Sequence, residues 1–296
     1  MKSPVFTGSG VALITPMNSD GSVNYKTLDR LIEFHIKNGT DAIVSCGTTG
    51  EASTLSRDEH IRVVAHTCES VNGRIPVIAG TGSNDTAFSV VTTKMARSAG
   101  ADAVLSVTPY YNKTSQRGLI AHYTHIADNS ELPVILYCVP SRTGVDIKPE
   151  TYKILAQHPN IIGTKDASGN VTNTARIIAE CGEDFTVYSG EDTQVVPMMS
   201  LGAKGVISVT ANIAPGVMHE MTKACLDGDF QRAGKMQVAY MRLISSMFLD
   251  VNPIPVKYAA NLLGFDCGEC RLPLVEMSDE AKLALERNMK QYGLIS

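Results

Sequence analysis

Eight short apolar runs, spaced close to the interval of a strand-helix unit, constrain this chain more than any other feature of its sequence. They fall at residues 10–14, 42–44, 76–79, 103–107, 133–139, 161–165, 185–189 and 205–208. Each is an almost unbroken string of Val, Ile, Leu and Ala, the composition of parallel strands buried on both faces. Helical patterns separate them. One over 25–38 closes on Gly39, one over 58–71 closes on Asn72-Gly73, and Asn84-Asp85 caps a third that stops at Gly100. Further patterns cover 118–128, 149–158 with Pro149 in its first turn, 170–181 and 193–201. Eight such alternations predict a (β/α)₈ TIM barrel. A doubly wound open sheet is the rival, but no Gly-rich dinucleotide fingerprint follows the first run.

Beyond the eighth run the pattern is helical only, over 215–227, 230–248, 254–263 and 278–292. The expected division is therefore a barrel over 1–228 and a C-terminal helical extension over 229–296, punctuated by Pro253 and Pro255. Met218, Met221, Met241 and Met247 recur at helical spacing and read as core fillers. With 296 residues the chain can bury one large core and carry a small appendage. A net charge of −4 and the absence of a basic stripe argue against a nucleic-acid partner, so an anionic substrate would have to meet local cations. The first residues hold no apolar run long enough for a signal segment or a membrane span, and a cytoplasmic protein is expected. Seven scattered cysteines suit a reducing compartment, with the C-x-x-C at Cys267 and Cys270 read as chance spacing.

In a barrel, reacting groups belong at the C-terminal strand ends and in the loops that follow. Lys165 ends the sixth run, in IIGTKDASG over 161–169. Alone it fits a surface anchor with its stem along apolar neighbours. The chemical alternative is an amine nucleophile, which requires burial to lower a pKa of roughly 10.4 by about three units. By alternation Ile161, Gly163 and Lys165 share one face, and on the fifth strand so do Ile135 and Tyr137. Neighbouring strands lie about 4.8 Å apart, so Tyr137 and Lys165 can touch inside the barrel, and the phenol could move protons for an imine. A buried tyrosine with a satisfied hydroxyl is the plainer reading of Tyr137 alone.

After the fifth strand an irregular loop over 139–144 carries Arg142, a planar cation suited to a carboxylate, or simply a solvated loop arginine. After the second strand Gly47-Thr48-Thr49-Gly50-Glu51 offers approachable amides and two hydroxyls facing the pocket, a cradle for a small carboxylate or oxyanion or else a plain Gly turn. After the fourth, Tyr110 and Tyr111 are adjacent and should point opposite ways, one towards the site and one towards a partner subunit. Lys113 has nothing to desolvate it, and Lys204 precedes the eighth strand at the wrong end of the barrel. His122 and His125 share a predicted outer helix and read as packing or surface residues, not metal ligands. Gly80-Thr81-Gly82 lacks the length and lysine of a phosphate loop.

Taken in order, these segments resemble the dihydrodipicolinate synthase family, also called 4-hydroxy-tetrahydrodipicolinate synthase, within the pyruvate-dependent class I aldolases. The similarity covers essentially the whole chain through GTTGE (47–51), AGTGSN (79–84), TPYYNK (108–113), LYCVPSRTG (136–144), GTKDASG (163–169), SGED (189–192), GVISVTAN (205–212) and NPIPVK (252–257). The resemblance implies condensation of pyruvate with L-aspartate 4-semialdehyde, the first committed step towards diaminopimelate and lysine. It makes Lys165 the Schiff-base lysine and Tyr137 the acid/base, with Thr48 and Tyr111 completing a proton relay and Tyr111 reaching a neighbouring subunit's site. It assigns Thr49 and Ile207 to pyruvate, Gly190 to the pocket wall and Arg142 to the semialdehyde carboxylate. No metal or separate cofactor is implied, and the assembly would be a homotetramer of tight dimers. N-acetylneuraminate lyase, a relative on the same fold, generally lacks the Ser-Arg-Thr-Gly run at 141–144. A binding protein on an inherited barrel would be expected to have lost one of the four catalytic residues, and a metal-dependent aldolase would lose activity on chelation.

Two departures from the family pattern stand out. Cys138 replaces the usual Asn and should point away from the lumen. Phe88 and Arg57 stand where lysine-inhibited members typically carry Glu and often His, although His60, Asn84 and Tyr110 match their lysine site. Without the carboxylate that would pair with an α-amino group, inhibition by lysine is expected to be weak or absent. Initial rates measured against added lysine check this, and half-inhibition below a millimolar would contradict it.

Overall fold

The computed structural model of the chain describes residues 2–296. Eight parallel strands close in sequence order into a barrel: β1 Gly8–Ala12, β2 Ala42–Ser45, β3 Val77–Gly80, β4 Ala103–Val107, β5 Val134–Cys138, β6 Ile161–Asp166, β7 Thr186–Ser189 and β8 Gly205–Ser208. The outer ring contains α1 Tyr25–Lys37, α2 Arg57–Val71, α3 Thr86–Ser98, α4 Gln116–Asp128, the single turn α5 Pro140–Thr143, α6 Pro149–Leu155, α7 Val171–Cys181, α8 Val195–Ser200 and α9 Pro215–Leu226. Three helices follow: α10 Phe230–Ser246, α11 Ile254–Leu262 and α12 Asp279–Gln291.

Burial on both strand faces gives two apolar clusters. Inside the barrel, Ala12, Val44, Ile78, Leu105, Ile135 and Ile207 fill the lumen, while Phe6 stacks on Tyr188 with ring centroids 4.4 Å apart. The other faces of the strands pack under the helices in a separate cluster. Helix starts follow their caps: Ser56 and Glu59 form a capping box on α2, and the Asp85 and Asn170 side chains accept from the first-turn amides of α3 and α7.

The structure corrects several boundaries. Between β5 and β6 the register slips, so that Val134 pairs with Ile161 but Ile135 pairs with Gly163. This bulge turns Ile161 to the outer cluster and puts Ile162 with the lumen, so Ile161 does not share the face of Gly163 and Lys165 as strict alternation implied. At Gly163 a Cβ would lie 2.2 Å from the Thr186 carbonyl oxygen, so only glycine allows the close approach of β7 here. Helix α6 stops at Leu155, short of 158, where the carbonyls of Ala156, His158 and Ile161 converge on Lys2 Nζ at 2.5, 2.6 and 2.8 Å. The predicted 193–201 helix is a 3₁₀ turn, Asp192–Gln194, followed by α8, and the segment after β5 is the one-turn helix α5 closed by Gly144 at φ 69°, where an irregular loop was expected.

Helices α10 and α11 and the segments that follow each are tied to the loops at the C-terminal strand ends. Gln237 Nε2 donates to Asp192 O at 2.9 Å, and Asn252 Nδ2 donates to Thr49 Oγ1 at 3.0 Å. Lys257 Nζ meets Glu51 Oε1 at 2.7 Å with both side chains only 2% exposed, and the Arg271 amide donates to Glu51 Oε2 at 2.8 Å. Glu51 sits at φ 55°, a left-handed conformation that this set of contacts sustains. Lys257→Ala would leave the Glu51 charge buried without its cation, and the expected loss is about 3–5 kcal/mol of stability in urea unfolding. A loss below about 1 kcal/mol would mean the pair is not what anchors this loop.

Candidate active site

Three strand ends and their loops converge at the C-terminal mouth. Lys165 lies on β6 one residue before its end, where it is paired in register with Tyr137 on β5 and Tyr188 on β7. Its side chain turns into the barrel, 5% exposed, with Nζ 4.6 Å from the centroid of the Tyr137 ring. Burial brings its pKa down from the ordinary 10.5 to about 8; the negative charges of Asp192 and Glu191 oppose that shift and the positive charge of Arg142 adds to it. Among the described residues no carboxylate lies within ion-pair distance of this nitrogen.

Tyr137 is itself buried, and desolvation raises its hydroxyl to about 12 despite the neighbouring Arg142 charge and the nearby Thr48 side chain. The phenol therefore carries its proton at neutral pH and can donate it. Thr48 and Tyr137 line a cavity of about 400 Å³ together with Arg142. Arg142 is set in α5, whose Pro140 starts the turn, and its Nη2 donates to Asn252 O at 3.2 Å. The turn holding Thr48 is bracketed by Cys46 and Glu51, both at φ 55°.

Of the two threonines expected to face the pocket, only Thr48 lines this cavity; Thr49 is buried and its hydroxyl accepts from Asn252. Ile207 on β8 points into the lumen and is fully buried. Gly190 follows β7, where its amide donates to Asp166 O at 2.7 Å and an added Cβ would lie 2.7 Å from the Ala167 Cβ. Tyr110 lines the cavity, whereas Tyr111 stands 92% exposed at φ 68°. The fold thus brings Tyr137, Thr48 and Arg142 together on one cavity, sets Lys165 against the Tyr137 ring without its lining that cavity, and leaves Tyr111 outside this chain's own pocket.

The far wall of the same cavity carries Arg57, His60 and Phe88. His60 Nε2 donates to Gly80 O at 2.8 Å, and burial lowers its pKa, so it brings no charge to that wall at neutral pH. Cys138 points outward from β5, its thiol donating to Asp146 Oδ1 at 3.3 Å. His122 packs on α4 with Nδ1 2.8 Å from Thr86 Oγ1, and among the described residues no group of three or more His, Cys, Asp or Glu could hold a metal. Two residues that sequence reasoning did not single out, Asn252 and Asp192, hold the loops around Lys165; both lie in quoted motifs, yet nothing in their spacing marks them.

Comparison with known proteins accords with this geometry. A model of the dihydrodipicolinate synthetase family matches residues 5–292. The 4-hydroxy-tetrahydrodipicolinate synthase of Thermoanaerobacter sp. (strain X514) is 55% identical over 293 residues, which cover 99% of this chain and 98% of the relative. That of Acetivibrio thermocellus is 52% identical over 295 residues, 100% of both chains. The crystal structure of the chloride-inhibited dihydrodipicolinate synthase from Acinetobacter baumannii, complexed with pyruvate, superposes with a TM-score of 0.96 at 46% identity, covering 98% of this chain and 99% of that one.

Because burial is what lowers the Lys165 pKa, the neutral amine accumulates as pH rises through about 8. Competitive acylation followed by peptide mass mapping is expected to show half-maximal labelling of Lys165 near pH 8. A midpoint above pH 10 would place its amine in water.

Proposed function

The chain belongs to the dihydrodipicolinate synthetase family, and from that membership we propose how its barrel mouth carries out the reaction. It condenses pyruvate with L-aspartate 4-semialdehyde to give 4-hydroxy-tetrahydrodipicolinate, a lyase reaction that commits carbon to diaminopimelate and lysine. The observation that carries the assignment of roles is the buried Lys165 Nζ held over the Tyr137 ring.

Near pH 8 about half of Lys165 is the free amine, which attacks the keto carbon of pyruvate. The nitrogen–carbon bond forms as the carbonyl electrons move to oxygen. Tyr137 donates its proton to that oxygen and is reprotonated through Thr48. Loss of water leaves a cationic imine, which withdraws electrons from the methyl group. Removal of a methyl proton gives the enamine, whose terminal carbon bonds to the aldehyde carbon of the semialdehyde as the aldehyde oxygen takes a proton; the semialdehyde's own amino group then attacks the imine carbon, closing the ring and expelling Lys165 as the free amine. In this reading the activating charge sits on the substrate-bound nitrogen, so the reaction proceeds without a metal or separate cofactor.

From family membership we assign Thr49, Ile207 and Gly190, none of which lines the cavity shared by Thr48 and Arg142, to the pyruvate end of the site, and the Arg142 guanidinium to the semialdehyde carboxylate. Tyr111 acts in the neighbouring subunit, because a tyrosine 92% exposed at a left-handed backbone position is placed to leave its own chain. We place that exchange within the tight dimers of a homotetramer. No helix among the described residues is long and apolar enough to cross a membrane, and we place the enzyme in the cytoplasm.

Borohydride added with pyruvate is expected to fix one pyruvate-derived adduct on the peptide containing Lys165, and Lys165→Ala to abolish it. Tyr137→Phe should still form the adduct while turnover falls by about 10²–10⁴. An adduct on another lysine, or full turnover by Tyr137→Phe, would reject these roles.

A further inference from the structure

Asp192 opens the turn after β7, two residues past Gly190, and is 2% exposed. Its Oδ2 accepts from the amides of Val209 and Thr210 at 3.1 and 2.7 Å, just beyond β8, and Gln237 of α10 fixes its backbone carbonyl. Its Oδ1 is buried and has no hydrogen-bond partner among the described residues. An unsatisfied carboxylate oxygen is costly to bury unless a cation faces it. Lys165 lies on the strand beside β7, paired in register with Tyr188 four residues before Asp192, and the cations of the mouth divide by their partners. Arg142 is directed at Asn252 O, Lys257 is paired with Glu51, and Lys165 is held in the mouth with no carboxylate in contact.

We propose that Asp192 is a positioning residue for the nucleophile: clamped by the two amides after β8, its carboxylate is the fixed negative charge that faces Lys165 from the neighbouring strand end. This rests on the role given to Lys165 above. The nitrogen bears a positive charge as the resting ammonium and again as the iminium; only the attacking amine between them is neutral. When the amine adds, the nitrogen–carbon bond forms, the carbonyl oxygen takes two protons and departs as water, and the positive charge returns to nitrogen. A fixed anion therefore opposes deprotonation of the lysine and favours the iminium over the neutral amine. The other charged or titratable groups facing Lys165 are Glu191 on the same turn and Arg142 and Tyr137 from β5 and its loop; Asp166, also on β6, is engaged by Thr174 and the Ser168 amide.

Asp192→Asn keeps an oxygen for the two amides and removes the charge. In borohydride trapping with pyruvate, followed by intact mass, two changes are expected together: the pH midpoint falls by about one unit, and the pyruvate concentration for half-maximal trapping, measured above both midpoints, rises about tenfold. A merely structural defect would admit water and move the midpoint upward. An unchanged or raised midpoint in Asp192→Asn overturns the proposal, as does a larger fall in Glu191→Gln. If Asp192→Asn does not fold, Asp192→Ser retains an acceptor for the Thr210 amide and should show the same paired shift. If neither folds, Glu191→Gln decides, an unchanged midpoint supporting Asp192 and a fall of about one unit reassigning the charge. Failure of the wild-type chain to be trapped at Lys165 at any pH would instead remove the catalytic role on which the proposal stands.

Discussion

The chemistry of this chain depends on withholding water from one ammonium group. Lys165 has no carboxylate in contact, and what surrounds it is a phenol ring and the closed wall of eight strands. Desolvation is a shape-dependent effect, so the barrel acts as part of the reagent. An open sheet would leave the same strand end wet on one side and the amine fully protonated at neutral pH. Closure of the sheet, the bulge that sets the inward face of β6, and Gly163 that lets β7 approach all serve the same end.

The helices after the eighth unit do more than cover apolar surface. The ties from α10 onward reach three catalytic loops: Gln237 the turn after β7, Asn252 both Thr49 in the turn after β2 and Arg142 in the turn after β5, and Lys257 and Arg271 Glu51 in that same β2 turn. Loops that carry chemistry lack the ladder bonds that hold strands in place, and a mouth built from several of them needs outside support to keep its geometry. A brace made of side-chain amides and one buried ion pair supplies direction as well as strength, because each donor accepts only a narrow range of angles.

Much of this was legible in the sequence, and the parts that were not share a cause. The continuous apolar runs gave away strands buried on both faces, and the placement of Lys165, Tyr137, Thr48 and Arg142 at their ends followed from the barrel alone. Strict alternation failed at Ile161 because a bulge changes parity without changing composition. The 193–201 helix was read as continuous because a pattern of apolar spacing is blind to the Asp192 carboxylate, which accepts from amides just beyond β8 in the 3₁₀ turn that precedes α8. Asn252 and Thr49 are 203 residues apart, and no local pattern can announce a hydrogen bond of that separation. Tyr111 was expected to serve another subunit, and its exposure accords with that reading without supplying the partner.

Two lysines in this fold are almost equally buried, and comparing them separates structural charge from chemical charge. Lys257 has Glu51 at 2.7 Å and the Glu269 carbonyl at 2.8 Å, so its positive charge is neutralised in place and the cost of burial is offset by contact. Lys165 has neither, and burial expresses itself as a lowered proton affinity. A carboxylate in direct contact would stabilise the ammonium so far that attack would stall, whereas complete isolation would leave the iminium without a counter-charge. Distance is the variable that resolves this conflict. A carboxylate clamped by backbone amides cannot collapse onto the amine, so it can act across a gap on both cationic states while leaving the nitrogen free to react.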